Sequence, residues 1–227
     1  MAGRLKVRLE RLLCNHGLPL RFPVVHRASA SRRPATQGTL EGMATPTLPF
    51  VPASTCEVLF SVDQINERVR TIGQQITDDY SDQSIVLVGV LKGAAIFLAD
   101  LARAIAVDNT FDFVAVSSYG KGQTTTGAVK LIKDLDVPIE GKHVILVEDI
   151  LDTGLTLSYL RKMMLQHKPA SLKIATCLDK PERRLVPIEA DYVCFKIPNR
   201  FVIGYGMDYA EKYRNVADIR LFPEDKA

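Results

Sequence analysis

Hydrophobic positions along the chain follow two rhythms. The continuous aliphatic run 144–147, and the largely apolar stretches 84–90 and 172–178, have the pattern of buried strands in a parallel sheet. Between them, apolar residues recur at helical spacing. Ile65, Val69, Ile72 and Ile76 predict a helix over about 62–79, with Ser61 as its N-cap and Gln64 three residues on in capping-box register. A second helix is expected over 94–106, and Leu157, Leu160, Met163 and Met164 mark a third that Pro169 helps to end. Shorter strand patterns lie at 57–60, 111–117, 128–132, 192–197 and 201–205. Strands alternating with helices define the α/β class, with a central, mainly parallel sheet flanked by helices.

The run Val144-Ile145-Leu146-Val147 meets Glu148 and Asp149 at once, which predicts two adjacent carboxylates ending a central strand at its carboxyl end. Asp152-Thr153-Gly154-Leu155-Thr156 then leads into a helix N-terminus. Free backbone N–H groups, the positive end of a helix dipole, two hydroxyls and a glycine that admits close approach make this an anion site. The lysine of a P-loop is missing, as are the spaced glycines of a dinucleotide fold. Two acids before a phosphate cradle suit a ligand with a sugar diol or hydrated metal beside a terminal phosphate. The plainer reading, a buried strand with a capped helix and a solvated acidic turn, accounts for the acids alone but not for all the elements in register.

Three further stretches carry chemistry. Leu91-Lys92-Gly93 ends a strand and opens a helix, which is either a second anion loop or a capping glycine beside a surface lysine. Residues 118–127 are polar and glycine-rich and too long for a tight hairpin, so they read as a surface loop or as a lid. Lys180 stands in the charged turn 179–184 at the carboxyl end of a strand, where open α/β sheets bind ligands.

Residues 144–157 resemble the phosphoribosyl-diphosphate (PRPP) motif of type I phosphoribosyltransferases, in the form seen in hypoxanthine-guanine phosphoribosyltransferases. The resemblance spans about 56–223 and includes Ser118-Tyr119 of the family's active-site loop, Phe201-Val202, Asp208-Tyr209 and Arg214. It implies a small hood subdomain over the sheet and transfer of a phosphoribosyl group from PRPP to hypoxanthine or guanine with Mg2+ as cofactor. Carried over by position, Glu148, Asp149, Asp152, Thr153, Gly154, Leu155 and Thr156 would hold PRPP through its ribose and 5′-phosphate. Lys92, Gly93, Ser118, Tyr119 and Arg214 would receive pyrophosphate, and the peptide bond before Lys92 can be cis. Lys180, Phe201, Val202 and Asp208 would bind the purine, and Asp152 would be the catalytic base. Glu148, Asp149 and Asp208 would hold the metal. Leu155 stands where some members carry lysine; its backbone N–H serves the phosphate either way.

Composition adjusts this picture at the edges. The net charge of +3 is uneven: residues 1–50 hold eight Arg and Lys against two Glu, and the rest 21 against 24. The larger part is therefore mildly acidic, which argues against nucleic acid as a partner and against a PRPP-responsive nucleic-acid-binding regulator, the alternative from another class. A phosphoribosyltransferase for xanthine or a pyrimidine is the alternative within the class. Residues 1–55 are expected to form a disordered or targeting-like extension, read either as a transit peptide or as a non-functional extension ahead of Met43, and 56–227 the catalytic domain. The hood is expected from about 181–227 together with the segment before the first main helix. Cys14, Cys56, Cys177 and Cys194 lack metal or redox spacing, and no His/Cys metal cluster can be drawn. The expected setting is the cytoplasm, or an organelle if the extension is a transit peptide. The expected partners are small-molecule substrates and further copies of the chain in a homodimer or homotetramer, with no membrane.

Overall fold

Ser61 opens the first long helix as its sequence requires: its Oγ accepts from the Gln64 N–H at 3.3 Å while Gln64 Oε1 accepts from the Ser61 N–H at 2.9 Å. The computed structural model describes residues 51–118 and 129–223, all within one unit running from Leu48 to Ala227. Residues 1–50 of the expected 1–55 extension, and residues 119–127 of the loop 118–127 read as a lid, lie outside the described residues. In chain order the elements are β1 (Val58–Phe60), α1 (Val62–Asp79), β2 (Ile85–Leu91), α2 (Ala95–Ala104), β3 (Asn109–Ser118), β4 (Val129–Lys133), β5 (His143–Leu151), α3 (Leu155–Gln166), β6 (Ser171–Asp179), β7 (Tyr192–Lys196), β8 (Val202–Ile203) and β9 (Ile219–Leu221).

Six strands form the main sheet in the order β4-β3-β2-β5-β6-β7. Every neighbouring pair is parallel except β3 and β4. Its two faces carry separate cores, as unbroken aliphatic strands demand. Leu87, Ile145, Val147 and Cys177 pack with Ile65, Ile72 and Ile76 of α1 and Phe97 and Leu101 of α2. On the opposite face Val86, Val88, Leu146 and Ile174 meet Leu157, Leu160 and Met164 of α3. No helix among the described residues is long and apolar enough to cross a membrane.

Two boundaries differ from the sequence reading. Glu148 and Asp149 do not end their strand. β5 continues to Leu151 because its backbone stays paired with β6 through Glu148 with Thr176, Ile150 with Leu178 and Leu151 with Asp179. Pairing with β2 stops earlier, at Gly89 with Val147, so the acids occupy a stretch that has a strand neighbour on one side only. Backbone pairing is indifferent to side-chain charge, and a run of apolar residues marks burial rather than strand length. The second correction concerns the hood over 181–227. Residues 192–196 are β7, the outer parallel strand of the main sheet, where Tyr192 and Cys194 are buried against the α1 side. Arg68 of α1 donates to the Val193 and Cys194 carbonyls at 2.9 and 2.7 Å, tying that strand to the helix.

The smaller sheet joins β1, β9 and β8, all antiparallel. Segment 51–56 is stitched to it. Tyr213 Oη donates to the Val51 carbonyl at 2.7 Å and accepts from its N–H at 3.2 Å, and Arg220 donates to the carbonyls of Ala53 and Cys56.

Candidate active site

Parallel pairing decides where the chemistry gathers. Because β2, β5 and β6 run the same way, their carboxyl ends share one rim, and each continues directly into a singled-out residue: Leu91 into Lys92, Leu151 into Asp152, Asp179 into Lys180. The Lys180 N–H donates to the Leu151 carbonyl at 3.0 Å, and Lys180 Nζ stands 3.7 Å from Asp152 Oδ2. A cavity of about 550 Å³ opens there. Asp149, Asp152, Lys180, Phe201, Val202 and Asp208 line it, so these three acids, the lysine and the aromatic meet, whereas Glu148 and Arg214 do not line it.

The phosphate cradle lies immediately beyond Asp152. Gly154, at φ 83°, caps α3 with no side chain in the way, Leu155 is the first helical residue, and Thr153 Oγ1 is 3.5 Å from the Leu155 N–H. Free N–H groups of the first turn are thus presented at the rim. Thr153, Gly154, Leu155 and Thr156 do not line the large cavity themselves; they flank it through Asp152. The Leu91–Lys92 peptide bond is cis. Gly93 lies against the acidic pair so closely that a Cβ there would sit 1.7 Å from Asp149 Oδ2. On the other side of Gly93 comes Gly206, at φ 98°, whose Cβ would stand 2.1 Å from the Gly93 carbonyl oxygen. Only glycines let the rim loop and the smaller subdomain meet over Asp149.

The electrostatics follow from burial. Glu148 is buried, and the loss of water, reinforced by Asp149 beside it, pushes its carboxyl well above the usual range. Asp149 is also raised by burial, against the pull of Glu148, the Ile150 N–H and Arg214. Burial lowers Lys180, Asp152 opposes that shift and Arg183 adds to it, leaving the amine below its ordinary value. Arg214 Nη2 is 2.7 Å from Asp208 Oδ1, and its Nη1 donates to the Gly206 carbonyl at 2.8 Å. Phe201 is held edge-on by Tyr209 and Phe222, at centroid distances of 5.7 and 5.9 Å.

No three His, Cys, Asp or Glu side chains among the described residues gather closely enough to hold an ion by themselves. The acids at the rim are all hard oxygen donors, Glu148 and Asp149 on one side and Asp208 on the other. Crowded buried carboxylates whose protons are held tightly are relieved by a divalent cation. The set fits Mg2+, which keeps several waters and shares substrate phosphates instead of demanding a protein cage.

Some expected residues stand apart. Lys92 does not reach the cavity; its Nζ is 2.8 Å from Glu211 Oε2. Ser118 is the last residue of β3, and Tyr119 lies outside the described residues. Other residues carry more than the sequence reading assigned them. Arg183 and Arg184 look like an ordinary charged turn, yet Arg183 Nε is 2.9 Å from Asp152 Oδ1. Arg184 donates to the carbonyls of Leu151 and Asp152 and to the Asp179 carboxylate, binding the ends of β5 and β6 together. The available signal was their place directly after Lys180 on the ligand-binding rim. Glu211, which joins Lys92 to the smaller subdomain, carried none.

Comparison with known proteins agrees with this geometry. Residues 61–210 match the family of the phosphoribosyl transferase domain. The fold and rim therefore define a phosphoribosyltransferase-type domain. The hypoxanthine-guanine phosphoribosyltransferase of Streptococcus thermophilus is 50% identical over 169 residues, 74% of this chain and 94% of that protein. A crystal structure of such a protein from Bacillus anthracis, with a HEPES molecule in its active site, is 51% identical, covers 74% of this chain and 98% of its own, and superposes with a TM-score of 0.71. The Staphylococcus aureus hypoxanthine phosphoribosyltransferase is 46% identical with a TM-score of 0.72, covering 75% and 94%. The chain belongs to the hypoxanthine-guanine phosphoribosyltransferase family.

Proposed function

We propose that the chain works in purine salvage, moving the 5-phosphoribosyl group of PRPP onto hypoxanthine or guanine to give IMP or GMP and pyrophosphate. The observation that carries this is the single rim shared by β2, β5 and β6, which brings Asp149, Asp152 and a buried lysine to one cavity beside an aromatic side chain, with an anion cradle flanking it. A purine ring nitrogen attacks ribose C1, pyrophosphate leaves, and positive charge develops on the sugar ring.

Each group has a task set by its chemistry. The N–H groups and hydroxyls of 153–156 fix the 5′-phosphate, so binding energy far from the reacting bond positions C1. Glu148 and Asp149 accept from the ribose hydroxyls, and Gly93 keeps Asp149 in reach of them. Glu148, Asp149 and Asp208 would hold Mg2+, which would supply positive charge beside the departing pyrophosphate. Asp152 takes the proton from purine N7, with Lys180 and Arg183 holding its carboxylate in place. Lys180 donates to the exocyclic O6, and an adenine amino group there would leave a buried donor unpaired. Phe201 stacks on the base, and backbone carbonyls at Val202 and Asp208 accept from a 2-amino group. Lys92, Gly93, Ser118, Tyr119 and Arg214 receive the pyrophosphate.

The deciding experiment supplies PRPP and Mg2+ with hypoxanthine, guanine, xanthine and adenine in parallel. Nucleotide is expected from hypoxanthine and guanine and not from adenine. Xanthine as the preferred base would shift the reading to the alternative within the class, and no nucleotide from any of the four would overturn it.

A further inference from the structure

Lys92 stands at the rim of the main sheet and Arg214 belongs to the smaller subdomain, and one carboxylate reaches both. Glu211 Oε2 is 2.8 Å from Lys92 Nζ, and its other oxygen, Oε1, is 3.7 Å from Arg214 Nη2. These are the two side-chain cations to which the proposed function gives the pyrophosphate. Resting on that reading, we propose that Glu211 is a built-in substitute for the diphosphate: it occupies Lys92 and Arg214 in the empty site, and PRPP or pyrophosphate displaces it on binding.

The chemistry of the contact supports this. Each oxygen of one carboxylate faces a different cation, the bridging arrangement that neighbouring phosphate oxygens would adopt. A diphosphate carries more charge and more acceptors than a carboxylate, so it wins the competition. The presentation of Glu211 is also imposed. Ala210, Glu211 and Tyr213 sit at φ 51°, 64° and 74°, a left-handed conformation that non-glycine residues adopt only when their surroundings hold them. The holding groups are present: Asp208 Oδ2 accepts from the Glu211 N–H at 2.8 Å, and Tyr209 and Lys212 exchange backbone hydrogen bonds at 3.2 and 3.1 Å.

Arg214 supplies an independent observation. Nη1 and Nη2 have partners in Gly206 and Asp208, but Nε is buried and makes no hydrogen bond. A buried donor left without an acceptor calls for an explanation, and the arrangement with Glu211 does not satisfy this guanidinium. The Lys92 and Glu211 side chains are 68% and 65% exposed, so water and salt weaken their attraction and the substitute is easily displaced.

The test compares the full-length protein with Glu211→Gln, which keeps the shape and removes the charge, and Glu211→Asp, which is too short to span both cations. Calorimetric titration with inorganic pyrophosphate and Mg2+ is expected to show binding tightened roughly two- to fivefold in E211Q, with E211D between it and the parent. The KM for PRPP should fall by a similar factor, the KM for hypoxanthine should stay put, and the difference should shrink as salt is raised. Pyrophosphate binding equal to or weaker than the parent's in E211Q overturns the proposal. Because the titration needs no turnover, the two readings fail separately: a parent protein that makes no nucleotide refutes the proposed function, whereas normal turnover with unchanged pyrophosphate affinity in E211Q refutes this inference alone.

Discussion

Gly93 has no room for even a methyl group, since its neighbour across the gap is the carboxylate of Asp149. Gly93→Ala must therefore push Asp149 or the rim loop aside, and displacement of a positioning group by about 1 Å costs on the order of 100-fold in rate. That loss should appear in kcat/KM for PRPP while thermal melts show a folded protein; a fully active G93A would mean that the Gly93–Asp149 contact is irrelevant to turnover. Asp152→Asn removes the proposed proton acceptor without changing its size, so kcat should drop roughly 10²- to 10⁴-fold, and unchanged turnover would remove Asp152 from the mechanism. Lys180→Ala should cost roughly ten- to a hundredfold in kcat/KM for hypoxanthine, the worth of a charged hydrogen bond, and narrow the gap to adenine in a paired assay. At this scale the sequence revealed residues whose type is rare in its setting, such as acids after a buried run. It concealed Arg183, Arg184 and Glu211, because an arginine in a charged turn looks the same whether it faces water or holds two strand ends.

Among elements, α1 was legible to the residue because its signals are local. Ser61 and Gln64 satisfy each other's backbone N–H groups, and Ile65, Val69, Ile72 and Ile76 line one face, all within a single continuous segment. Ser61→Ala breaks one half of that box and should cost about 1 kcal/mol, seen as a lower urea midpoint with an unchanged slope. An unaltered midpoint would show that the cap contributes nothing in this context. β5 was legible in its buried half only. Its last residues persist as strand through partners on β6 that lie more than twenty positions away in the chain, which no local pattern encodes. The smaller sheet was harder still. β8 has two residues and β9 three, too short for alternation to register, and the loop between them turns on non-glycine residues at positive φ.

For the whole molecule, the placement of the site followed from one deduction: aliphatic strands joined through helices run parallel, so their ends converge. What the sequence could not supply is how the segments beyond those strands are held to them, and Asp112 shows why. It is a buried acid on β3 with no signal of function, yet it accepts from the N–H groups of Phe113, Asp136 and Val137 at 2.6, 2.7 and 3.3 Å and lies 3.4 Å from Lys133 Nζ. Burial alone would raise its carboxyl; the backbone donors and the Lys133 charge outweigh that and hold it below the ordinary aspartate value of 3.8. The sign of the resulting pH dependence is fixed. As the pH falls past that ordinary value, the unfolded chain binds a proton at Asp112 before the folded one does, so acid favours unfolding. The stabilisation is complete above 3.8 and disappears as the pH falls through the lower folded value. Asp112→Asn should therefore be less stable by about 1–3 kcal/mol near neutrality, and its deficit should shrink as the medium is acidified. Urea unfolding of both proteins across the acid range reads that difference directly, free of the other carboxylates they share. A deficit that stays constant with pH would mean that charge on Asp112 does not hold residues 133–137 to the edge of the sheet.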